Sequence, residues 1–292
     1  MRSVLFLLAA VGAAEDLYVS KPFTAKDSFT GSIEGPAVDK AGNVYAVSFA
    51  RDPTIGRVTP QGKAEVFLEM PKGSLANGIR FDSKWRMFVA DYTNHNVLLV
   101  DTATKAVKVF AHEDKFNQPN DLAITREGTL YASDPNWKEG TGQIWRIDGA
   151  GRVTRVAENM GTTNGIEVSP DGKTLYVNES VQRHVWAFAI GKDGSLSGKR
   201  LLATFPDHGF DGMRADVDGN LYITRHGKGV VAKVSPEGKV LREIDVLGLK
   251  PSNICFGGPD GRTAYVTEME HGRLVSFRVE KPGREWGLWR KK

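Results

Sequence analysis

Short apolar runs centred on an aromatic residue recur along the chain, each preceded by a polar residue, a few apolar positions and a turn. The first reads Glu34-Gly35-Pro36-Ala37-Val38-Asp39, then Asn43-Val44-Tyr45-Ala46-Val47. Asn77-Gly78-Ile79 pairs in the same way with Met87-Phe88-Val89, Asn120-Asp121-Leu122 with Leu130-Tyr131-Ala132, and Asn164-Gly165-Ile166 with Leu175-Tyr176-Val177. Asp211-Gly212-Met213 with Leu221-Tyr222-Ile223, and Asn253-Ile254-Cys255 with Ala264-Tyr265-Val266, complete the series. The first residues lie 43, 43, 44, 47 and 42 positions apart. Runs this short, bounded by Gly and Asp, read as strands, and a strand-built period in the forties is a propeller signature.

Each unit predicts a hairpin. Asp39-Lys40-Ala41-Gly42-Asn43, Pro170-Asp171-Gly172-Lys173 and Asp218-Gly219-Asn220 supply the turns. Third strands are expected at 97–100, 143–147, 185–190, 230–234 and 274–279, and fourth strands at 65–68, 107–110, 153–157, 201–205 and 240–246. The prediction is an all-β, six-bladed β-propeller with four strands per blade, a single domain over 15–292. The sixth unit has no fourth strand of its own. Residues 17–23 are expected to supply it and close the ring, with 286–289 as the other candidate.

The first strand of each propeller blade lines the central channel. Glu34, Asn77, Asn120, Asn164, Asp211 and Asn253 should therefore share one ring at the channel mouth. The residues three after each strand aromatic, Ser48, Asp91, Asp134, Glu179, Arg225 and Glu268, should rim the same mouth. One Asn or Asp is explained by hydrogen bonding at a strand start. A ring of amides with acids at 34 and 211 points to a site built from oxygen donors, which suits Ca²⁺ and other hard cations rather than zinc.

Totals change this picture little. Of 292 residues, 40% are hydrophobic and 25% charged, which excludes a disordered chain. The net charge is +4, spread along the sequence except at Arg290–Lys292, so no nucleic-acid surface is expected. Arg2, the apolar run from Val4 to Leu8 and small residues up to Ala14 predict a signal peptide over 1–14 and an exported protein, periplasmic or extracellular. No later stretch is long enough to span a membrane. Cys255, the only cysteine, sits in an apolar run and reads as a buried, inert thiol. His95, His112, His184, His208, His226 and His271 share no metal-ligand spacing; His208 and His226 lie near mouth positions, where either could exchange protons. Trp137 is a candidate cavity wall or a core residue.

Four motifs in order resemble the SMP-30/gluconolactonase (regucalcin-like) family: Ile33-Glu34-Gly35-Pro36, Pro119-Asn120-Asp121, Thr163-Asn164-Gly165-Ile166 with Ser169-Pro170-Asp171-Gly172, and Phe210-Asp211-Gly212-Met213. The resemblance covers about the whole mature chain. It implies one divalent metal at the channel mouth, Ca²⁺ foremost, with Mg²⁺, Mn²⁺ or Zn²⁺ as alternatives. Glu34, Asn164 and Asp211 match the family's metal ligands, and Asn120 matches a metal or substrate position. The implied activity is metal-dependent hydrolysis of a small-molecule lactone or related ester, with Asp211 as catalytic base or nucleophile. Asn77, Asn120, Gln118 and Asn253 are the substrate-binding candidates. Regucalcin-like members carry Arg where Gln118 stands, so the expectation moves from sugar lactones to lactones and esters generally. The competing readings are a non-enzymatic NHL-like propeller that binds a ligand or protein partner, and a quinoprotein propeller.

Overall fold

A computed structural model describes residues 16–289, so the expected leader over 1–14 and the basic cluster at 290–292 lie outside the described residues. Six four-stranded antiparallel sheets follow one another around a central axis. Blade 1 comprises Ala37–Val38, Val44–Val47, Thr54–Val58 and Ala64–Glu69; blade 2 comprises Ala76–Phe81, Met87–Asp91, Asn96–Val100 and Val107–His112. Blade 3 comprises Leu122–Ile124, Leu130–Asn136, Thr141–Ile147 and Val153–Met160; blade 4 comprises Thr163–Val168, Thr174–Glu179, His184–Ile190 and Leu196–Thr204. Blade 5 comprises Met213–Ala215, Leu221–Arg225, Val230–Val234 and Val240–Asp245. Blade 6 takes Pro251–Gly257, Thr263–Glu268 and Arg273–Arg278 from the end of the chain, and Lys21–Pro22 from its start. Lys21 pairs with Ser276 and Pro22 with Val275, so the N-terminal segment closes the ring.

The fourth strand of blade 4 starts at Leu196, five residues before the expected start. Its first half, Ser197-Gly198-Lys199-Arg200, is exposed. An outer strand turned to solvent needs no apolar alternation, so its pairing with Ala187 and Ala189 leaves no hydropathy signal. The tail near 286–289 forms a helix, Arg284–Trp289, rather than a strand.

The core lies between the blades. Six buried apolar clusters each join two neighbouring blades, and each holds one strand aromatic: Tyr45, Phe88, Tyr131, Tyr176, Tyr222 and Tyr265. An aromatic at this point fills the wedge between adjacent blades, which explains why the repeat centres on it. Cys255 is buried in the cluster joining blades 6 and 1, where burial pushes its thiol well up.

The helix closes the channel at the far ends of the innermost strands. Buried Arg284 donates to the Ile124 carbonyl (2.9 Å) and the Ser169 carbonyl (3.2 Å), and pairs with Glu167 (3.3 Å). Its neighbour Glu285 pairs with buried Arg80 (3.2 Å). Among the described residues, no helix is long and apolar enough to cross a membrane.

Candidate functional site

The ring residues sit where backbone geometry changes. Register shifts interrupt the hairpins between Ala76 and Ile79, between Thr163 and Ile166, and between Pro251 and Asn253. Such bulges re-aim a side chain, here Asn77, Asn164 and Asn253. Glu34, Asn120 and Asp211 precede the first strands of blades 1, 3 and 5. The glycine after a ring residue has a specific role. Gly165 donates to the Asp211 carbonyl (3.1 Å), and a Cβ on Gly165 would stand 2.6 Å from that oxygen. A Cβ on Gly35 would meet the Asn77 carbonyl at 1.9 Å, and one on Gly212 would meet the Asn253 side chain at 2.0 Å. At these steps the neighbouring blade closes on the glycine, through backbone at Gly35 and Gly165 and through the Asn253 side chain at Gly212, and only Gly leaves room.

Blades 3 and 6 carry Asp121 and Ile254 in the place of that glycine, and Asp121 is fully buried in the channel. Its carboxylate pairs with Arg214 (2.9 Å) and Arg80 (3.4 Å) and accepts from the Leu122 amide (2.8 Å). Burial pushes its pKa up to about 7; Arg80 opposes the rise and Glu34 adds to it.

Above Asp121, Glu34 and Asp211 are half-buried on the floor of a cavity of about 610 Å³. Their carboxyl groups lie within hydrogen-bonding reach of each other. Burial raises both pKa values; for Asp211 the nearby Glu34 charge adds to the rise and carries it well above the usual carboxylate range. Like charges this close call for a proton or a cation between them. Asn164 is within side-chain reach of Asp211 and donates its amide to Ser180 Oγ (3.1 Å). Its Oδ1 is buried without a hydrogen-bond partner, and so is Oδ1 of Asn77. Two carboxylates and an unsatisfied amide oxygen are the donors a hard divalent cation takes, so these residues fit a metal.

Glu34, Asn77, Asn120, Asn164 and Asp211 all line the cavity. Asn253 lies behind it: its amide donates to Glu34 Oε2 (3.0 Å) and its Oδ1 accepts from the Ile254 amide (2.9 Å). It orients Glu34 and stands outside the cavity lining. Gln118 is also outside the lining; its backbone amide donates to Asp134 (2.6 Å).

The expected rim is a correction. Only Ser48 of the six positions lines the cavity. The acids instead anchor the loops that carry the ring residues. Asp134 accepts from the Asn117 and Gln118 amides (2.9 and 2.6 Å) and from Trp145 Nε1 (2.8 Å). Asp91 accepts from the Leu75 amide (3.1 Å), and Glu179 from the Gly161 amide (2.7 Å). Arg225 does the same for blade 5 with opposite charge, holding Asp207 (2.7 Å) while its guanidinium lies over the rings of Phe205 and Phe210. Amides at a strand entrance need an acceptor, and the end of the paired strand is the place to supply one. Glu268 with Glu270 and His271 is a carboxylate–imidazole group whose ligand atoms lie within 4.8 Å. Glu268 is engaged there by the Glu270 and His271 amides (2.8 and 3.1 Å) and by His271 Nδ1 (2.9 Å).

Trp137, 39% exposed, forms the cavity wall with Tyr92, whose hydroxyl it meets. His208 and His226 line the opposite side, and burial and Lys250 hold His226 below the usual imidazole range. Trp137 and the segment 208–210 bring their loops to the cavity, whereas Phe49 stacks edge-on against Phe29. Tyr92, Arg183 and Asp121 carried no sequence signal strong enough to single them out. Asp121 had one in principle, as the acid replacing Gly in the repeat.

Fold and floor together define a six-bladed propeller with an acid–amide site at one end of its channel. The model for the SMP-30/Gluconolactonase/LRE-like region matches residues 32–270, and the chain belongs to that family. It is 27% identical over 287 residues to a gluconolactonase of Zymomonas mobilis, covering 86% of this chain and 80% of that one. It is 30% identical over 158 residues to a 6-deoxy-6-sulfogluconolactonase of Pseudomonas putida, about half of each chain (53% and 53%). The solved structure of a calcium-binding regucalcin from Agrobacterium tumefaciens superposes with a TM-score of 0.79 at 21% identity, covering 91% of this chain and 95% of that one.

Proposed function

We propose that this protein is a divalent-cation-dependent hydrolase that opens a lactone or related ester on the floor of the channel-mouth cavity. The observation that carries the reading is the contact between the Glu34 and Asp211 carboxyls beside the unpartnered Asn164 Oδ1. The lactonase relatives support it. Glu34, Asn164 and Asp211 would hold the cation, with Asn120 as fourth donor. When bound, a cation in such a site polarises a carbonyl and offsets the charge that develops on its oxygen. Ca²⁺ suits the all-oxygen donors, and Mg²⁺, Mn²⁺ or Zn²⁺ are the alternatives to be assayed.

The chain's own residues do the rest. Asp211 opens on the cavity, which suits it to take the proton of the attacking water. Glu34 stays a ligand, because Asn253 and the Gly35 amide (2.7 Å) hold its carboxylate in place. Asn77 and Asn120 turn amides toward the substrate from adjacent blades. Trp137 and Tyr92 cover one face and limit water.

The test is to strip the protein with chelator and assay lactones, aryl esters and phosphotriesters with each cation restored in turn. The expected result is turnover that returns with added metal, and metal binding abolished by Asp211→Ala. No turnover with any cation would sink the proposal.

A further inference from the structure

The cavity wall is divided by charge. Loops of blades 2 and 3 contribute Leu75, Tyr92 and Trp137; loops of blades 4 and 5 contribute Arg183, His208 and His226. Among the described residues, the carboxylates on the lining are Glu34 and Asp211. Their two charges are those that one divalent cation balances. Arg183 then stands without counter-charge, since its guanidinium makes no hydrogen bond or ion pair with the described residues. Of the cations nearby, Arg225 pairs with Asp207 (2.7 Å) and Lys228 with Glu243 (2.8 Å).

The backbone makes the placement notable. Arg183 directly precedes the third strand of its blade and has a φ of 60°. Gly140, Gly229 and Gly272 hold the corresponding turn position in blades 3, 5 and 6, at φ of 67°, 80° and 53°. Glycine takes this conformation freely, whereas a side chain costs about 1–2 kcal/mol there. His95 takes the same position in blade 2, outside the cavity lining. In blade 4 the strained position delivers a long, unpaired cation to the cavity.

We infer that Arg183 is the anion receptor of this cavity, and that the lactone or ester opened there carries an acidic substituent: a carboxylate, sulfonate or phosphate. A planar guanidinium fork binds each of these through two parallel hydrogen bonds. The inference rests on the hydrolytic reading above and narrows it to a substrate class.

The test uses hydrolysis-resistant probes: a five-membered lactam bearing a ring carboxylate, and its carboxamide. Calorimetry with Ca²⁺ present should show the intact protein binding the carboxylate about 10- to 100-fold tighter. Arg183→Gly eases the turn while removing the cation. It should bring that ratio to about one and leave the carboxamide affinity unchanged. Arg183→Lys should fall between, keeping the charge without the fork. Equal affinity of the intact protein for both probes, no binding of either, or an unchanged ratio in Arg183→Gly would overturn the inference. Turnover of the two corresponding lactones separates the claims. Hydrolysis indifferent to the carboxylate overturns the anion receptor alone. Selective carboxylate binding without hydrolysis upholds the receptor and overturns the hydrolase.

Discussion

At the residue scale, the site is a place where charge is held against its own preference. Glu34 and Asp211 touch, and Asp121 lies beneath them. Asp211→Asn should therefore cut hydrolysis by about 100- to 10,000-fold, as loss of a general base does. It should also raise the stability of the chelated protein by about 1 kcal/mol, because a strained functional site gives up stability for activity. Chemical denaturation with and without chelator checks both halves; a metal-free variant less stable than its parent would contradict the description. The pH dependence follows from the same groups. Burial holds the Asp121 and Glu167 pKa values at about 7, while in the unfolded chain they lie near about 4. The folded protein binds protons between those values that the unfolded chain releases, so stability falls as pH rises from about 4 to 7. His226, held low by burial, opposes this as a single group. The chelated protein should melt at a lower temperature at pH 8 than at pH 5.5, and thermal scans showing the reverse would count against these carboxyls being buried.

At the element scale, the first strands work by approaching one another through glycine. A methyl group at Gly165 would collide with the Asp211 carbonyl (2.6 Å). Gly165→Ala should cost about 1–3 kcal/mol, the price of overpacking a site whose neighbour is backbone. It should also weaken metal binding, because the collision falls between two proposed ligands. Calorimetric titration of Ca²⁺ beside a denaturant curve measures the two effects; unchanged affinity would show that the ring tolerates the shift. The aromatic centres, the turns and the inner polar positions were legible in the sequence, because each is a local demand of a hairpin. The loop-anchoring role of Asp91, Asp134 and Glu179 was not. Their repeat position is plain in the chain, but only the fold shows that inter-blade amides claim them. Arg183 and Tyr92 were hidden for a related reason: a turn residue's direction depends on how its blade is pitched against the channel. The fourth strand of blade 4 began unseen because its first half faces water.

At the scale of the whole molecule, the segments at both edges of the described residues are structural. The C-terminal helix plugs the channel with Arg284 on Glu167 and Glu285 on Arg80. Truncation after residue 282 would take away Arg284, the ion-pair partner of buried Glu167, and Glu285, that of buried Arg80. Losing one partner of a buried pair costs about 3–5 kcal/mol. Denaturant midpoints of the truncated and full chains test this, and equal midpoints would show the plug to be dispensable. The sequence offered 286–289 only as a possible strand; a six-residue helix containing Gly287 is too short to show a helical period. The N-terminal closure was legible, because the last unit runs out of strands before its sheet is complete.

That closure sets an order of events during synthesis. Lys21 and Pro22 leave the ribosome about 250 residues ahead of their partners Ser276 and Val275. At about 5–20 residues per second, the leading segment waits about 10–50 s for its partner. During that interval, blades 1 to 5 can form from neighbours already made, but the ring stays an open arc. The acids on either side of the site belong to blades 1 and 5, and blade 6 with its Asn253 brace lies between them around the closing seam. The pocket floor is thus assembled last, at the moment the circle shuts.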